Sequence, residues 1–216
     1  MASGKGTILR WLGGVALRST TVTAVAAPAA RYLRVRLRGE VARGEPGDKV
    51  QVLLPGDDVR TYSPFAWAEE GGGARSFSLL VFVHGDTPAT RWAKALRVGD
   101  VVRFIGPQRA LRMPDGPLVL VGDETSLAAV ASYEEARPGQ VRAVFEGDVP
   151  EAVLADLGLR ATVCAPGEAA SHLADAAGAV GVTGSAALIQ RVREALNGRA
   201  APRVKAHWIA GRVGID

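Results

Sequence analysis

One cysteine, three histidines and an aromatic content of 6% in 216 residues are the scarcities that first constrain this chain. Cys164 alone cannot form an internal disulfide, and no Cys/His cluster has metal-ligand spacing, so no bound metal and a reducing, cytoplasmic setting are expected. Long apolar runs are missing too. The stretch Trp11 to Leu17 is cut short by Arg18, which leaves it far too brief to span a bilayer, and no integral membrane segment is expected. Lys5 and Arg10 before that stretch, and the small residues Ala24 to Ala30 after it, imitate a secretory leader. Its apolar part is at the lower limit of length for one, and a short helix lying on its own domain is the preferred reading. The chain also lacks a G-x-G-x-x-G fingerprint, an internal repeat and a low-complexity linker.

What is present is the profile of an ordinary globular protein: 48% apolar and 22% charged residues, enough to bury a core in one large or two small domains. The net charge of +4 and isoelectric point near 9.6 favour an anionic partner without choosing among nucleic acid, a phosphate-bearing cofactor and an anionic metal chelate.

Between residues 20 and 115 the hydrophobic pattern has a period of two. Leu33, Val35 and Leu37 alternate with Arg34, Arg36 and Arg38, as a half-buried antiparallel strand does, with the arginines on a solvated face. Glu45-Pro46-Gly47-Asp48 reads as a turn, and Lys49 to Leu54, Phe77 to Val83 and Val101 to Ile105 as further strands. Beyond about residue 117, short apolar runs (118–121, 141–145, 161–164, 179–182) alternate with helical segments. The clearest helix runs from Ser185 to Asn197, with Ser185 as its cap and Gly198 as its stop. The expected architecture is therefore an N-terminal antiparallel β-barrel over residues 1–116 and a small α/β domain with a parallel sheet over 117–216.

Three segments carry candidate chemistry. Arg60-Thr61-Tyr62-Ser63 sets an arginine, an aromatic and a hydroxyl close together on a strand, able to hold an anion, stack a flat ring and hydrogen-bond its edge. His84-Gly85-Asp86-Thr87-Pro88-Ala89-Thr90-Arg91-Trp92 is a strand end, a Gly/Pro turn and a helix start, with Thr90 placed to cap it. A helix N-terminus offers free amides and a positive dipole end, which suits a pyrophosphate. Gly122-Asp123-Glu124-Thr125-Ser126-Leu127 is a strand–glycine turn–helix at the first crossover of the α/β half, where such sheets bind ligands. Asp123 and Glu124 are unfriendly to phosphate, but carboxylates there can accept ribose hydroxyls or fix a loop.

In type, order and approximate separation these segments resemble those of the siderophore-interacting proteins, a branch of the ferredoxin-reductase-like flavoproteins; the looser likeness covers roughly residues 20 to 212. The resemblance implies a flavin-binding barrel and an α/β nucleotide-binding domain with FAD at their junction. It implies Arg60 at the pyrophosphate, Tyr62 and Ser63 against the isoalloxazine with Ser63 catalytic, and His84 at the flavin's side. The backbone of Ala89 and Thr90 would cradle phosphate, Arg91 would belong to the cofactor-binding set, and Thr125 would lie at the domain junction near FAD or NAD(P)H. Lys205 and Arg212, with Arg109 and Arg112 as a second pair, are the candidate substrate cations. The implied activity is reduction of a ferric siderophore, with NADPH or NADH as donor, the flavin as carrier and chelated Fe(III) as acceptor.

The chain departs from the family at Gly106-Pro107-Gln108-Arg109-Ala110, at Val182-Thr183-Gly184-Ser185, in its short α/β half, and at Lys205-Ala206-His207-Trp208, which only approximates the family's Lys-x-Tyr-Trp. Rival readings are a flavin reductase with another acceptor, a flavin- or siderophore-binding module with poor NAD(P)H use, and a non-enzymatic nucleic-acid binder. The last is disfavoured, because no aromatic interleaving supports a stacking platform. Cys164 reads as a buried small hydrophobe, and His172 and Asp175 as surface residues on one helix face.

Overall fold

The structure, a computed structural model, describes residues 17–56, 58–175, 177–196 and 201–209. The apolar stretch up to residue 16, Gly198 and the candidate Arg212 lie outside them. The chain separates into two compact units. One comprises the described residues up to Gly44 together with Lys49–Gln108; the other comprises Glu45–Asp48 and the described residues from Arg109 onward.

The first unit is a seven-stranded antiparallel sheet in the order β4-β3-β7-β1-β2-β6-β5. Its strands are β1 (Leu17–Ala29), β2 (Tyr32–Gly39), β3 (Asp48–Leu54), β4 (Asp58–Tyr62), β5 (Phe65–Gly71), β6 (Ala74–Phe82) and β7 (Val101–Arg109), with helix α1 (Pro88–Ala95) between β6 and β7. Although β4 is an edge strand, it touches β6 near the opposite edge, so the sheet rolls into a barrel. One core fills it: Val35, Leu37, Val50, Val52, Phe77, Leu79 and Phe104 are buried, with Tyr62, Trp67 and Trp92 packed against them. This is the alternation read from the sequence, with Val35 and Leu37 inward.

The opposite face of β2 is less solvated than the pattern suggests. Arg34 lies over the Phe65 ring, 5.2 Å from its centroid, and Arg36 donates to Ser76 Oγ at 2.6 Å. Strands β5 and β6 supply hydroxyls, a carboxylate and an aromatic that hold these guanidinium groups. Strand β1 carries little signal of its own, because of its 13 residues only Thr20 and Val22 are buried.

The second unit is a five-stranded sheet in the order β10-β9-β8-β11-β12, parallel at each of its four ladders. It comprises β8 (Leu118–Gly122), β9 (Val141–Glu146), β10 (Ala161–Cys164), β11 (Ala179–Ser185) and β12 (Arg203–Trp208). Helix α2 (Leu127–Ala136) connects β8 to β9, α3 (Glu151–Asp156) connects β9 to β10, and α4 (Ala186–Ala195) follows β11. Strand β8 is buried along its whole length, as the middle strand of a covered parallel sheet should be. The chain runs outward from β8 to β9 and β10, then returns to place β11 on the other side of β8. The crevice between the ends of β8 and β11 is the topological switch point.

Glu45–Asp48 clusters with this second unit for an identifiable reason. The Gly47 amide donates to Ser132 Oγ at 3.1 Å, Arg112 pairs with the buried Asp48 carboxylate, and Gly47, at φ +73°, leaves no room for a Cβ beside the Leu111 carbonyl. Arg112 is thus tied into the fold by a buried carboxylate.

Candidate functional site

In the barrel, the β3–β4 ladder pairs Val52 with Arg60 and Val50 with Tyr62, so Arg60 and Tyr62 share the face of the two core valines. Tyr62 meets Trp92 of α1 with ring centroids 6.1 Å apart and planes tilted by 33°. That contact brings the end of β4 against the phosphate-candidate helix. Burial pushes the Tyr62 phenol far above its usual range; Arg60 pulls it down and Asp58 pushes it further up. The ring is therefore a neutral aromatic surface throughout the physiological range. The Arg60 guanidinium is held by the Asp58 carboxylate and donates to the Val59 carbonyl at 2.8 Å. Ser63 follows directly, in the non-strand step between β4 and β5.

The helix start differs from the expectation by three residues. Thr87, not Thr90, is the cap, and its Oγ1 accepts from the Thr90 amide at 3.1 Å. Pro88 occupies the first turn, where its missing N–H costs nothing. The Thr-Pro pair was the available signal. Thr90 instead points its hydroxyl back to the His84 carbonyl at 3.2 Å, tying the strand end to the helix. The Arg91 amide closes the first turn onto the Thr87 carbonyl. With Pro88 lacking an N–H and Thr90 capped, Ala89 carries the first-turn amide that neither device consumes. Arg91 pairs with Asp86 at 2.8 Å on an exposed surface, and His84 lies exposed with its ring stacked on Phe82, 5.7 Å between centroids.

These residues fit FAD. The Ala89 amide and Arg91 supply positive character at the helix start, Tyr62 an aromatic face against that helix, and Arg60 a cation two residues back on the same strand. Gly85, at φ +55°, has nothing within 4 Å of where a Cβ would stand, so the backbone beside the helix start can be approached closely.

In the second unit Thr125 belongs to a different arrangement, built on Asp123. This carboxylate, 5% exposed, lies just past the end of β8. Its Oδ1 accepts from the Thr125 amide at 3.0 Å and the Thr125 hydroxyl at 2.6 Å, and its Oδ2 from the Ser185 amide at 2.7 Å and Trp208 Nε1 at 2.9 Å. His207 Nδ1 is 3.3 Å from the Thr125 hydroxyl. Burial lowers the His207 imidazole below its ordinary value; Asp123 pulls it back up and Lys205 lowers it further. So Asp123 fixes a loop, and Ser185 and Trp208 share it through strand neighbours that no local motif reveals. Lys205 sits on β12, two residues from His207.

Other candidates resolve simply. The Cys164 thiol, half-buried at the end of β10, is pushed up by burial and by Glu146 and Glu168, which makes it a poor nucleophile. His172 belongs to a short 3₁₀ turn, and Arg142 joins it to Asp175 by bonding the His172 carbonyl and the Asp175 carboxylate. Among the described residues no group of three or more His, Cys, Asp or Glu could hold a metal, and no helix is long and apolar enough to cross a membrane.

An antiparallel barrel joined to a five-stranded parallel sheet is the two-domain fold of the ferredoxin-reductase-like flavoproteins. Phthalate dioxygenase reductase, described as a modular structure for electron transfer from pyridine nucleotides to a 2Fe–2S centre, shares it at a TM-score of 0.71 and 16% identity, over 88% of this chain and 68% of that one. More particularly, residues 55–111 match the family model of the siderophore-interacting FAD-binding domain, the family that the three motifs resemble. Among solved structures the chain is similar to SipS, a siderophore-interacting protein of Aeromonas hydrophila (TM-score 0.72, 20% identity, 92% of this chain and 94% of that one). It is also similar to a siderophore utilization protein from T. fusca (TM-score 0.69, 22% identity, 94% and 96%). At these identities the structural likeness establishes the fold. No curated protein matches the chain in sequence.

Proposed function

We propose that the protein is an FAD-dependent reductase of ferric siderophores that draws electrons from a reduced nicotinamide. The observation that carries this reading is the contact between Tyr62 and Trp92, which sets the R-x-Y-S strand end beside the α1 start inside the segment that matches the siderophore-interacting FAD-binding domain. Arg60, the Ala89 amide and Arg91 would hold the pyrophosphate. Tyr62 would lie against the ring system with His84 at its side, and Ser63 would offer its hydroxyl at the flavin N5. When bound, FAD supplies the conversion between two-electron and one-electron transfer.

The protein's own part is to bind, orient and supply charge. It needs no iron ligands, because the ferric ion arrives inside its chelate. One reduced nicotinamide carries two electrons, enough for two Fe(III) to become Fe(II), which the hard oxygen donors of a siderophore hold far less tightly.

The test is direct. Reconstituted with FAD, the protein should be yellow, and anaerobic NADH or NADPH should bleach it. A ferric chelate should then restore the colour while a ferrous-specific dye reports Fe(II). Protein that takes up no flavin, or bound flavin that no ferric chelate reoxidises, refutes the reading. Ser63→Ala should keep FAD bound yet slow its reduction by NAD(P)H; unchanged reduction kinetics would remove Ser63 from the flavin edge.

A further inference from the structure

In a doubly wound sheet that binds a dinucleotide, the switch point presents glycine for close approach and free amides at a helix start, and the pyrophosphate settles there. Here both glycines of that crevice lend their space to the protein itself. A Cβ on Gly122, at the end of β8, would stand 2.3 Å from Ser126 Cβ; one on Gly184, near the end of β11, would stand 2.5 Å from the Asp123 carboxylate carbon.

Donors of the two loops that border it are spent as well. The Thr125 and Ser185 amides go to the Asp123 carboxylate, the Ser126 amide to the Asp123 carbonyl, and the Leu188 amide to Ser185 Oγ. The first turn of α2, Leu127 to Ala129, has no side-chain cap but is buried directly after the Asp123 loop, so its amides face no open surface. The remaining first-turn amides of α4, on Ala186 and Ala187, would share any arriving phosphate with the Asp123 charge bonded to the residue before them. Trp208 of β12, itself 42% exposed, adds its indole N–H to the same carboxylate.

We infer that this crevice is closed to a pyrophosphate, its place being taken by the Asp123 carboxylate. A nicotinamide donor is then recognised through its nicotinamide–ribose end alone, without its adenylate half. This rests on the reductase reading for the identity of the donor, though not for the closure of the crevice.

Two measurements on the FAD-loaded protein separate the ideas. The first compares anaerobic flavin reduction by NADH, NADPH and reduced nicotinamide mononucleotide, which lacks the pyrophosphate and adenosine. Their kcat/KM values should agree within about tenfold, and a preference for the dinucleotides beyond that overturns the inference. The second is calorimetric titration with ADP-ribose: no saturable binding at millimolar concentration is expected, and micromolar binding overturns the inference whatever the kinetics. If dithionite bleaches the flavin and none of the three nicotinamides does, the donor reading fails, while the ADP-ribose titration still decides whether the crevice is closed.

Discussion

Arg60 would meet an incoming pyrophosphate with its charge already engaged by Asp58, so binding there is an exchange of one anionic partner for another. Removing the guanidinium should still be costly, because a charge-assisted hydrogen bond contributes roughly 1.5–3 kcal/mol. Arg60→Ala should therefore weaken FAD binding by one to two orders of magnitude in a fluorescence titration, and Asp58→Asn should move affinity the other way. An unchanged dissociation constant in the arginine variant would take Arg60 out of the site. At Gly184 the constraint is steric and conformational together: φ is +108° and the Cβ position is filled by the Asp123 carboxylate. Gly184→Ala should cost about 1–3 kcal/mol from the backbone alone, read as a lowered urea midpoint, and a variant as stable as the parent would show that the carboxylate can move aside.

Strand β12 links chemistry to stability through His207. Its folded-state imidazole is half-buried, and the desolvation holds its titration below the ordinary value. Between the folded and unfolded values the unfolded chain binds more protons, so stability falls as pH drops below about 6.5, by at most about 1.4 kcal/mol per pH unit. Urea unfolding at pH 7, 6 and 5 should show this slope, and His207→Gln should remove its part of it. Identical slopes in the two proteins would mean that another group sets the acid limit.

Elements of this kind were legible to different degrees. The strands at β2, β3, β6 and β7, and the capped helix α4, follow from period and turn chemistry, which are local. Strand β1 was not, since its Ser, Thr and Ala residues carry almost no apolar alternation. Strand β12 was not either; its Trp208 indole is fixed by a carboxylate 85 residues away. The same limit applies to the sites. Arg60, Tyr62 and the helix start are candidates that short motifs name, whereas the filling of the switch point depends on which strands become neighbours.

For the whole molecule the net charge of +4 gives a long-range preference for anions, and Lys205 is a described candidate to focus it on the substrate. If an anionic ferric catecholate is the acceptor, its apparent affinity should fall steeply between low and physiological salt, while a neutral chelate should respond little, because screening acts within about 10 Å at 0.1 M salt. Lys205→Ala should raise KM for the anionic chelate and leave flavin reduction by the nicotinamide unchanged. Equal salt dependence for the two chelates would place the substrate away from any basic mouth.

The Asp123 carboxylate also bears on how this part of the chain opens in time. It holds the Thr125 amide two positions away, the Ser185 amide 62 away and the Trp208 indole N–H 85 away. Solvent deuterium can replace a hydrogen only when its bond opens, and here one buried acceptor serves three donors, two of them far away in sequence. Exchange at the three should thus keep a common clock, set by the release of a single carboxylate and not by the fraying of three separate segments.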